Sequence, residues 1–452
     1  MNHEVKIMWR SLVPLVVGLT LLAAPPAARS AAAQETGPIL LSLEQTLSLA
    51  AEQSYDVKQA LEYRALVEAR YVQERSAALP QFTVSGTGSL ASDASQKEIG
   101  IFERTDSYAA TLGVVQPLFT WGQIGAAIRL AEIGRATAGD RMATARGTSL
   151  RNAALAFYDV LLTREYAALA TSNLEMRERH LEEARRRLTA GTVTDYDVLA
   201  ASVAAQNARP EVIRTANQVL DARERLAFVL GLRGREVDVA GSLTAAAAAP
   251  PDYATAFQTA VARRPELAEL RKGRAMSEEL VRIAQAGNKP RLDFSAGIGW
   301  RAVDYDGRTG DGETWSAALA LRWPIFDGGR TKGAVGRAES ETRSVDLDVA
   351  RFLDALTLET RTGVDAVLEA AAIVDALDGT VAEAERLLAM AEKGFELGVT
   401  VRLDVEDAQL NVIKARASLA RGRRDLLAAQ TNLRWVTGEL SPAPSQKAES
   451  KP

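Results

Sequence analysis

Two short segments of the chain decide its fold, and they are near copies of each other. Residues 321–329 read Leu-Arg-Trp-Pro-Ile-Phe-Asp-Gly-Gly, and residues 114–122 read Val-Val-Gln-Pro-Leu-Phe-Thr-Trp-Gly. Each is an apolar run that stops at a proline and ends in glycine, which is typical of the end of a β-strand. Each precedes a stretch of at least 70 residues without proline, which favours one very long helix. The pattern therefore predicts two strand-to-helix junctions, at Pro117–Gly122 and at Pro324–Gly329.

The similarity between the two halves extends over most of the chain, so the sequence is a tandem repeat. We predict a first repeat at 34–240, a second repeat at 241–438 and a C-terminal tail at 439–452. Each repeat is predicted to run helix, strand pair, very long helix, sharp turn and returning helix. The paired positions include Pro80 with Pro290, Pro117 with Pro324, Gly191 with Gly398 and Asp197 with Asp404.

The N-terminal segment has the composition of a secretory signal. Lys6 and Arg10 precede the apolar run Ser11–Ala24, and small residues follow through Ala33. Because the run is shorter than the roughly 20 residues that a membrane-spanning helix needs, residues 1–33 are predicted to be a cleaved signal peptide. The whole chain has a net charge of −4, and removal of this basic segment makes it more acidic. An acidic exported protein is not expected to bind nucleic acid.

Side chains that could carry chemistry are scarce. The chain contains no cysteine, which excludes disulfides, thiolate metal sites and cysteine nucleophiles. Only two histidines occur, His3 and His180, so zinc sites that depend on histidine have little material in this chain. The sequence therefore predicts a protein that is not an enzyme and that has no cofactor and no metal site.

The predicted strands alternate between an apolar face and a small, polar face. A soluble sheet would bury the apolar face on a helix, whereas a membrane β-barrel shows it to lipid, with aromatic residues at the interfaces and a polar lumen. The alternation allows both interpretations, and the signal sequence together with the tryptophans favours the barrel. The apolar positions are Leu292, Phe294, Ala296, Ile298 and Trp300 on one strand, and Trp315, Ala317, Leu319, Leu321 and Trp323 on the next.

Strand number sets the expected oligomer. Four strands cannot close a barrel alone, and lipid offers no hydrogen-bonding partner to an open strand edge. Two chains would give eight strands, whose interior is filled by side chains, whereas three chains would give twelve. We therefore expect several chains, most simply three, to share one barrel.

The proline-free stretches are too long for a globular core. Gly329–Leu397 would reach roughly 100 Å as one helix, so it needs coiled-coil partners along its length. Its seam residues, mostly apolar, are spaced by three or four positions, and the returning helix of the first repeat is predicted to kink at Pro210. The predicted fold is mainly α, with four strands and long coiled-coil helices per chain. The first part of the seam is Val349, Leu353, Leu356, Thr360, Val364 and Val367.

Over residues 40–438 the chain resembles the TolC-type outer-membrane efflux proteins. The resemblance lies in the tandem repeat, in Pro-Leu-Phe-x-x-Gly and Pro-Ile-Phe-Asp-Gly-Gly, and in the segments "AGTVTDYDVLAA" and "LGVTVRLDVEDA". It implies a homotrimer in the outer membrane, with a 12-stranded barrel continuous with an α-helical tunnel across the periplasm. The junctions at Pro117–Gly122 and Pro324–Gly329 would then join barrel to tunnel. It also implies a passive exit duct for small molecules or metal ions, coupled through a periplasmic adaptor to an inner-membrane RND or ABC transporter.

The resemblance also assigns roles at the ends of the long helices. Asp404 and Asp407 match the inward aspartates that narrow the periplasmic end, and Asp197 is the first-repeat counterpart of Asp404. Phe395 and Thr400 stand where the best-known member has a tyrosine and an arginine that hold the gate shut. Adaptor proteins would dock on the glycine turns. These turns are Ala190, Gly191 and Thr192 in the first repeat, and Leu397, Gly398 and Val399 in the second.

Several alternatives remain open. The aspartates Asp404 and Asp407 would also complement the helix dipole in a first helical turn after Thr400. A carboxylate pair could serve metal or acid–base chemistry, but no third ligand or nucleophile accompanies it. The chain could be a duct for type I protein secretion, or a soluble periplasmic coiled-coil scaffold.

Overall fold

The computed structural model describes residues 39–92, 104–232, 234–244, 250–305 and 307–440. The predicted signal peptide, and the predicted tail beyond Leu440, lie outside the described residues. Within the described part, each half of the chain contains two short helices, a pair of long strands, a helix of 67 residues and a returning helix. The order of elements predicted from the sequence is therefore observed, with the two differences described below.

The first half contains β1 (Ile39–Leu41), α1 (Leu43–Gln53), α2 (Tyr55–Ser76), β2 (Gln81–Ser92), β3 (Arg104–Phe119), α3 (Gln123–Thr189) and α4 (Asp195–Leu230). The second half contains β4 (Val237–Val239), α5 (Tyr253–Arg263), α6 (Pro265–Gln285), β5 (Arg291–Tyr305), β6 (Arg308–Arg322), α7 (Arg330–Glu396) and α8 (Arg402–Val436).

Two short helices open each half where the sequence predicted one, so that prediction was wrong. α1 begins as expected, with the Ser42 hydroxyl accepting from the Gln45 N–H at 3.2 Å and the Gln45 amide returning to Ser42 at 2.9 Å. The chain then breaks at Ser54, whose hydroxyl accepts from the Val57 N–H at 3.3 Å and starts α2. In the second half, Pro265 at the first position of α6 produces the same break.

Two three-residue strands add a small parallel pair that the sequence did not predict. β1 pairs with β4, with Ile39 opposite Val237 and Leu41 opposite Val239. This pair joins the start of the described chain to the segment between the two halves. It is covered by a buried cluster from α3 and α4 that includes Phe157, Leu226 and Leu230.

The four long strands form one antiparallel sheet in the order β2-β3-β5-β6. Phe294 lies opposite Leu319 and Ile298 opposite Trp315, so the predicted apolar face is observed. Trp323, which the sequence placed on this face, lies one residue beyond the end of β6. β2 and β6 are the edges of the sheet within the described chain.

The long helices pack as antiparallel pairs along a seam of small and aliphatic side chains. The predicted seam residues Leu356, Thr360 and Val367 are at most 1% exposed, and α8 contributes Leu426 and Leu433. α4 is a single helix that contains Pro210 in its interior. A continuous helix can still bend, so the predicted kink stays a prediction. None of the described helices has an apolar stretch long enough to cross a bilayer.

Candidate functional site

At both strand-to-helix junctions a glycine turn precedes the helix, but the proline lies inside the strand in the first junction and beyond it in the second. β3 continues through Pro117 to Phe119, with an irregular register at the proline, because proline has no N–H for the ladder. Gly122 then precedes α3 with a φ of 79°, and Gly329 precedes α7 with a φ of 87°. Both glycines occupy the left-handed region that other residues rarely enter. Pro324 follows the last residue of β6 by two positions and lies outside the strand.

The free N–H groups at the start of the long helices receive side-chain acceptors. Asp327 accepts from the N–H of Gly329 at 3.0 Å and from that of Thr331 at 2.9 Å. In the first half, the Thr120 hydroxyl accepts from the Ile124 N–H at 3.4 Å. The junction motif therefore contains its own helix cap at the position before the glycine turn.

At the other end of α3, Gly191 makes the turn into α4. Its φ is 73°, and its N–H donates to the Leu188 carbonyl at 2.9 Å, while the Thr192 N–H donates to the Arg187 carbonyl at 2.9 Å. Ala190 is the last residue before this turn. Ala190, Gly191 and Thr192 are all exposed, so the turn predicted for adaptor docking lies at the surface of the chain.

The second turn repeats this geometry. Gly398 has a φ of 71°, and the Val399 N–H donates to the Gly394 carbonyl at 2.8 Å. Leu397, Gly398 and Val399 are exposed. Thr400 turns back on the helix, because its hydroxyl donates to the Ala391 carbonyl at 3.0 Å.

The aspartates Asp197 and Asp404 occupy equivalent places in the first turns of α4 and α8. Asp197 accepts from both the N–H and the hydroxyl of Thr194 at 2.8 Å, and these bonds, the backbone one first, hold the pKa of Asp197 below its usual value. Asp404 accepts from the Val401 N–H at 3.1 Å. Both side chains thus satisfy backbone donors at a helix start. Val401, rather than Thr400, is the residue that precedes α8.

Asp407 lies one turn further along α8. Asp404 and Asp407 are both exposed, and within the described chain neither has an ion-pair partner. A single chain brings the two carboxylates to one side of α8, as the spacing of three predicts. Their roles at the gate stay a prediction.

Phe395 packs between α7 and α8 at this end of the molecule, and a side chain of the first half lies over its ring. Its ring contacts the cluster of Ala391, Val405 and Ala408, and the Arg187 guanidinium lies 5.8 Å from the ring centroid. The position is therefore filled by an apolar contact within the chain and by a cation over its ring. A phenylalanine has no hydroxyl with which to hold a neighbour by a hydrogen bond.

A polar cluster between α3 and α8 was not predicted from the sequence. Glu406 lies 3.2 Å from Arg177 and 2.9 Å from Arg402, which joins the first half to the second. His180 and Gln409 approach each other beside it, with ring Nε2 and amide Nε2 3.5 Å apart. His180, Arg402 and Gln409 line a cavity of about 630 Å³ near the glycine turns. The available signal was Glu406, which lies between the two aspartates of "LDVEDA".

His180 should make this contact sensitive to acid. Burial lowers the pKa of His180, Arg402 lowers it further, and Glu406 acts in the opposite direction. Arg177 and Arg179 also lower it. The unfolded chain, with a histidine pKa of about 6.5, then binds the proton more tightly than the folded one.

We expect stability to be lost as the pH falls below about 6.5, because protonation of His180 favours the unfolded state. The melting temperature of the purified protein should drop more between pH 7 and pH 5 in the parent than in His180→Gln. The glutamine variant has no titrating group at this position and serves as the comparison. Equal drops in melting temperature in the two proteins would contradict the assignment of the acid sensitivity to His180.

Gly394 is required where the second turn closes. A β-carbon there would lie 2.7 Å from Cγ2 and 2.9 Å from Oγ1 of Thr400. Gly394→Ala is expected to lower the free energy of local opening by about 1–3 kcal/mol, because the short threonine side chain cannot move away without losing its bond to Ala391. Hydrogen exchange over residues 391–400 should therefore increase.

The matched control is Gly379→Ala in the same helix, where no atom lies within 4 Å of the added carbon. That substitution should leave exchange at the turn unchanged and stabilise the helix by about 0.4–1 kcal/mol. The explanation fails if the two alanine variants exchange alike over residues 391–400.

In the described part of the chain, no group of three or more histidine, aspartate or glutamate side chains could hold a metal ion.

Comparison with known proteins gives one family and several relatives. The sequence profile described as "Outer membrane efflux protein" matches residues 46–232 and 256–439. The chain is 22% identical over 309 residues to outer membrane protein TolC of Escherichia coli, a match covering 66% of this chain and 63% of TolC. It therefore spans just under two thirds of the length of that relative. It is 26% identical to the cobalt-zinc-cadmium resistance protein CzcC of Cupriavidus metallidurans, covering 85% of this chain and 86% of CzcC.

The fold is shared with a solved channel structure. The Campylobacter jejuni CmeC outer membrane channel superposes with a TM-score of 0.77 at 16% sequence identity. The match covers 88% of this chain and 85% of the CmeC chain. At this identity the likeness concerns the fold alone.

Proposed function

The chain belongs to the outer membrane efflux protein family, and from that membership we propose that three copies form an exit duct through the outer membrane and across the periplasm. The duct is passive. Small molecules or metal ions enter it from an inner-membrane RND or ABC transporter, to which a periplasmic adaptor couples it. It has no catalytic role and needs no cofactor.

The observation that carries the proposal is the two-faced sheet with open edges. Trp315 is 81% exposed and Leu319 66% exposed on one face. The other face presents mainly serine, threonine, glycine and alanine along all four strands. An apolar outer face and a polar inner face fit a barrel wall in lipid. Because lipid cannot satisfy the backbone groups at the edges of β2 and β6, these edges support pairing with neighbouring chains.

An apolar stripe along α4 supports the same assembly for the tunnel. Its residues are separated by 3, 4, 10 and 7 positions, which fits the heptad register of a coiled-coil seam, and they are exposed in the single chain. An exposed seam on a long helix calls for a partner, and the neighbouring copy supplies one. The stripe is formed by Tyr196, Leu199, Val203, Ile213 and Leu220.

The ends of the long helices fit the periplasmic entrance. Three chains would bring Asp404 and Asp407 together as six carboxylates around one aperture, near Asp197, Phe395 and Thr400. The exposed turns at Gly191 and Gly398 would remain accessible from outside for an adaptor. Asp404 would then act both as the cap of α8 and, together with Asp407, as part of a charged constriction.

Planar-bilayer recording of the purified protein tests the duct directly. We expect extraction to require detergent and the protein to insert with discrete conductance steps, because a twelve-stranded barrel leaves an open lumen. Recovery of the protein in the soluble periplasmic fraction, with no conductance, would favour the coiled-coil scaffold and overturn the proposal. A duct for exported polypeptides would also conduct ions. Export assays with each transporter class distinguish the two, because one duct releases small molecules or metal ions and the other releases polypeptides.

A further inference from the structure

Arginines are concentrated on the polar face of the sheet. In the described parts of the four strands, this face contains Arg291, Arg301, Arg308 and Arg322, against a single acidic residue, Asp293. The polar-face positions of β2 and β3 contain no charged residue at all. The face therefore has a clear excess of positive charge, all of it on β5 and β6.

Arg301 lies toward the hairpin end of β5, the end farther from the long helices, which we call the outer end. It is opposite Ala109 on one side and Gly312 on the other, and its neighbour Trp300 is on the apolar face. The side chain is exposed and has no ion-pair partner among the described residues. Its charge is therefore uncompensated where it faces the polar side of the sheet.

Arg322 lies at the other end of the sheet, next to the junction with α7. Its cross-strand partner is another arginine, Arg291. The Arg291 Nε lies 2.9 Å from both oxygens of Asp293, so the aspartate neutralises Arg291. Like charges directly opposite each other are unfavourable in a sheet. The ion pair with Asp293 reduces this repulsion, because it neutralises the charge of Arg291. Arg322 is exposed and has no ion-pair partner among the described residues, so its charge is not neutralised.

We propose that Arg301 and Arg322 form two rings of positive charge in the barrel lumen and that these rings make the barrel favour anionic solutes. The inference rests on the proposed function, which makes the polar face the lumen. Rings of arginine or lysine select anions in pores, and the low-dielectric wall of a barrel strengthens their field.

The two rings act separately. Arg322 lies at the level of Arg291, its cross-strand partner. Arg301 is ten residues further along β5, a distance of roughly 33 Å along the strand. This exceeds the Debye length of about 8 Å at physiological salt, so the field between the rings is screened. A solute leaving the duct would pass the carboxylates of the helix tips first and the two arginine rings afterwards. The barrel thus adds a preference opposite to that of the tips.

The reversal potential in a potassium chloride gradient tests the proposal, in the parent and in Asp404→Asn/Asp407→Asn. With the tip carboxylates neutralised, we expect a preference for chloride. Adding Arg301→Gln and Arg322→Gln should lower the chloride-to-potassium permeability ratio by about twofold to fivefold. Arg301→Lys with Arg322→Lys should keep the preference, because the charge is retained.

Arg104→Gln is the control for the opposite face. Arg104 lies at the outer end of β3 with its side chain on the apolar side, paired with Asp106 at 2.9 Å. Its removal should leave the permeability ratio unchanged. Conducting channels with the same ratio in the glutamine and lysine variants would overturn the inference alone. Absence of any conductance in the parent would overturn the proposed function beneath it.

Discussion

Leu319→Arg is expected to abolish or severely reduce assembly in the outer membrane. Leu319 is 66% exposed, lies opposite Phe294 on the apolar face and stands close to the centre of the apolar run. An arginine on the lipid face near the bilayer midplane costs about 2–4 kcal/mol. The cost recurs in each of three chains. Heat-modifiable oligomer in outer-membrane fractions should therefore fall sharply.

Ala320→Arg is the matched control one residue away. Ala320 lies opposite Asp293 on the polar face, so an added arginine would be solvated and close to a carboxylate. We expect nearly normal assembly of this variant. If the two variants assemble equally well, the assignment of faces to lipid and lumen is contradicted.

Neutralising the tip carboxylates is expected to remove cation preference. Six carboxylates around a narrow aperture raise the local cation concentration, and their removal should lower the potassium-to-chloride permeability ratio by about tenfold. Asparagine is the suitable replacement, because its carbonyl oxygen can still accept the Val401 N–H that Asp404 binds at 3.1 Å. The variant Asp404→Asn/Asp407→Asn thus changes charge while keeping the helix cap.

Asp197→Asn supplies the comparison for this variant. Asp197 occupies the equivalent first-turn position of α4 and accepts two hydrogen bonds from Thr194. Its neutralisation should change the ratio less than the double substitution on α8 does. An unchanged ratio in Asp404→Asn/Asp407→Asn would mean that the two aspartates do not select ions and that Asp404 only caps α8.

The features that the sequence predicted depend on local periodicity. The alternation at residues 292–300 and 315–321 fixed the faces of β5 and β6, and the proline-free stretches fixed the long helices. The break at Ser54 depends on a serine cap, with no proline or glycine beside it, so only Pro265 at the equivalent place in the second half signals a break. The β1–β4 pair was missed because three-residue strands carry no measurable alternation and these two are far apart in the chain.

Site geometry was less predictable than the fold. The contact of Glu406 with Arg177 spans the two halves, and it follows only when α3 is known to pack on α8. Likewise, Asp404 was identified as a first-turn aspartate, but the donor it binds is Val401, since Thr400 turns back to Ala391. The spacing of residues places a side chain on a helix, and packing decides which helix it meets.

Chemical cross-linking in native outer membranes tests most directly whether three chains share one barrel. The expected result is a largest covalent species of three chains, which unheated detergent electrophoresis should reproduce as one heat-modifiable band. Two chains would give only eight strands, with a lumen filled by side chains. A series that stops at two chains, or that contains only monomer, would contradict the shared barrel and the duct that depends on it.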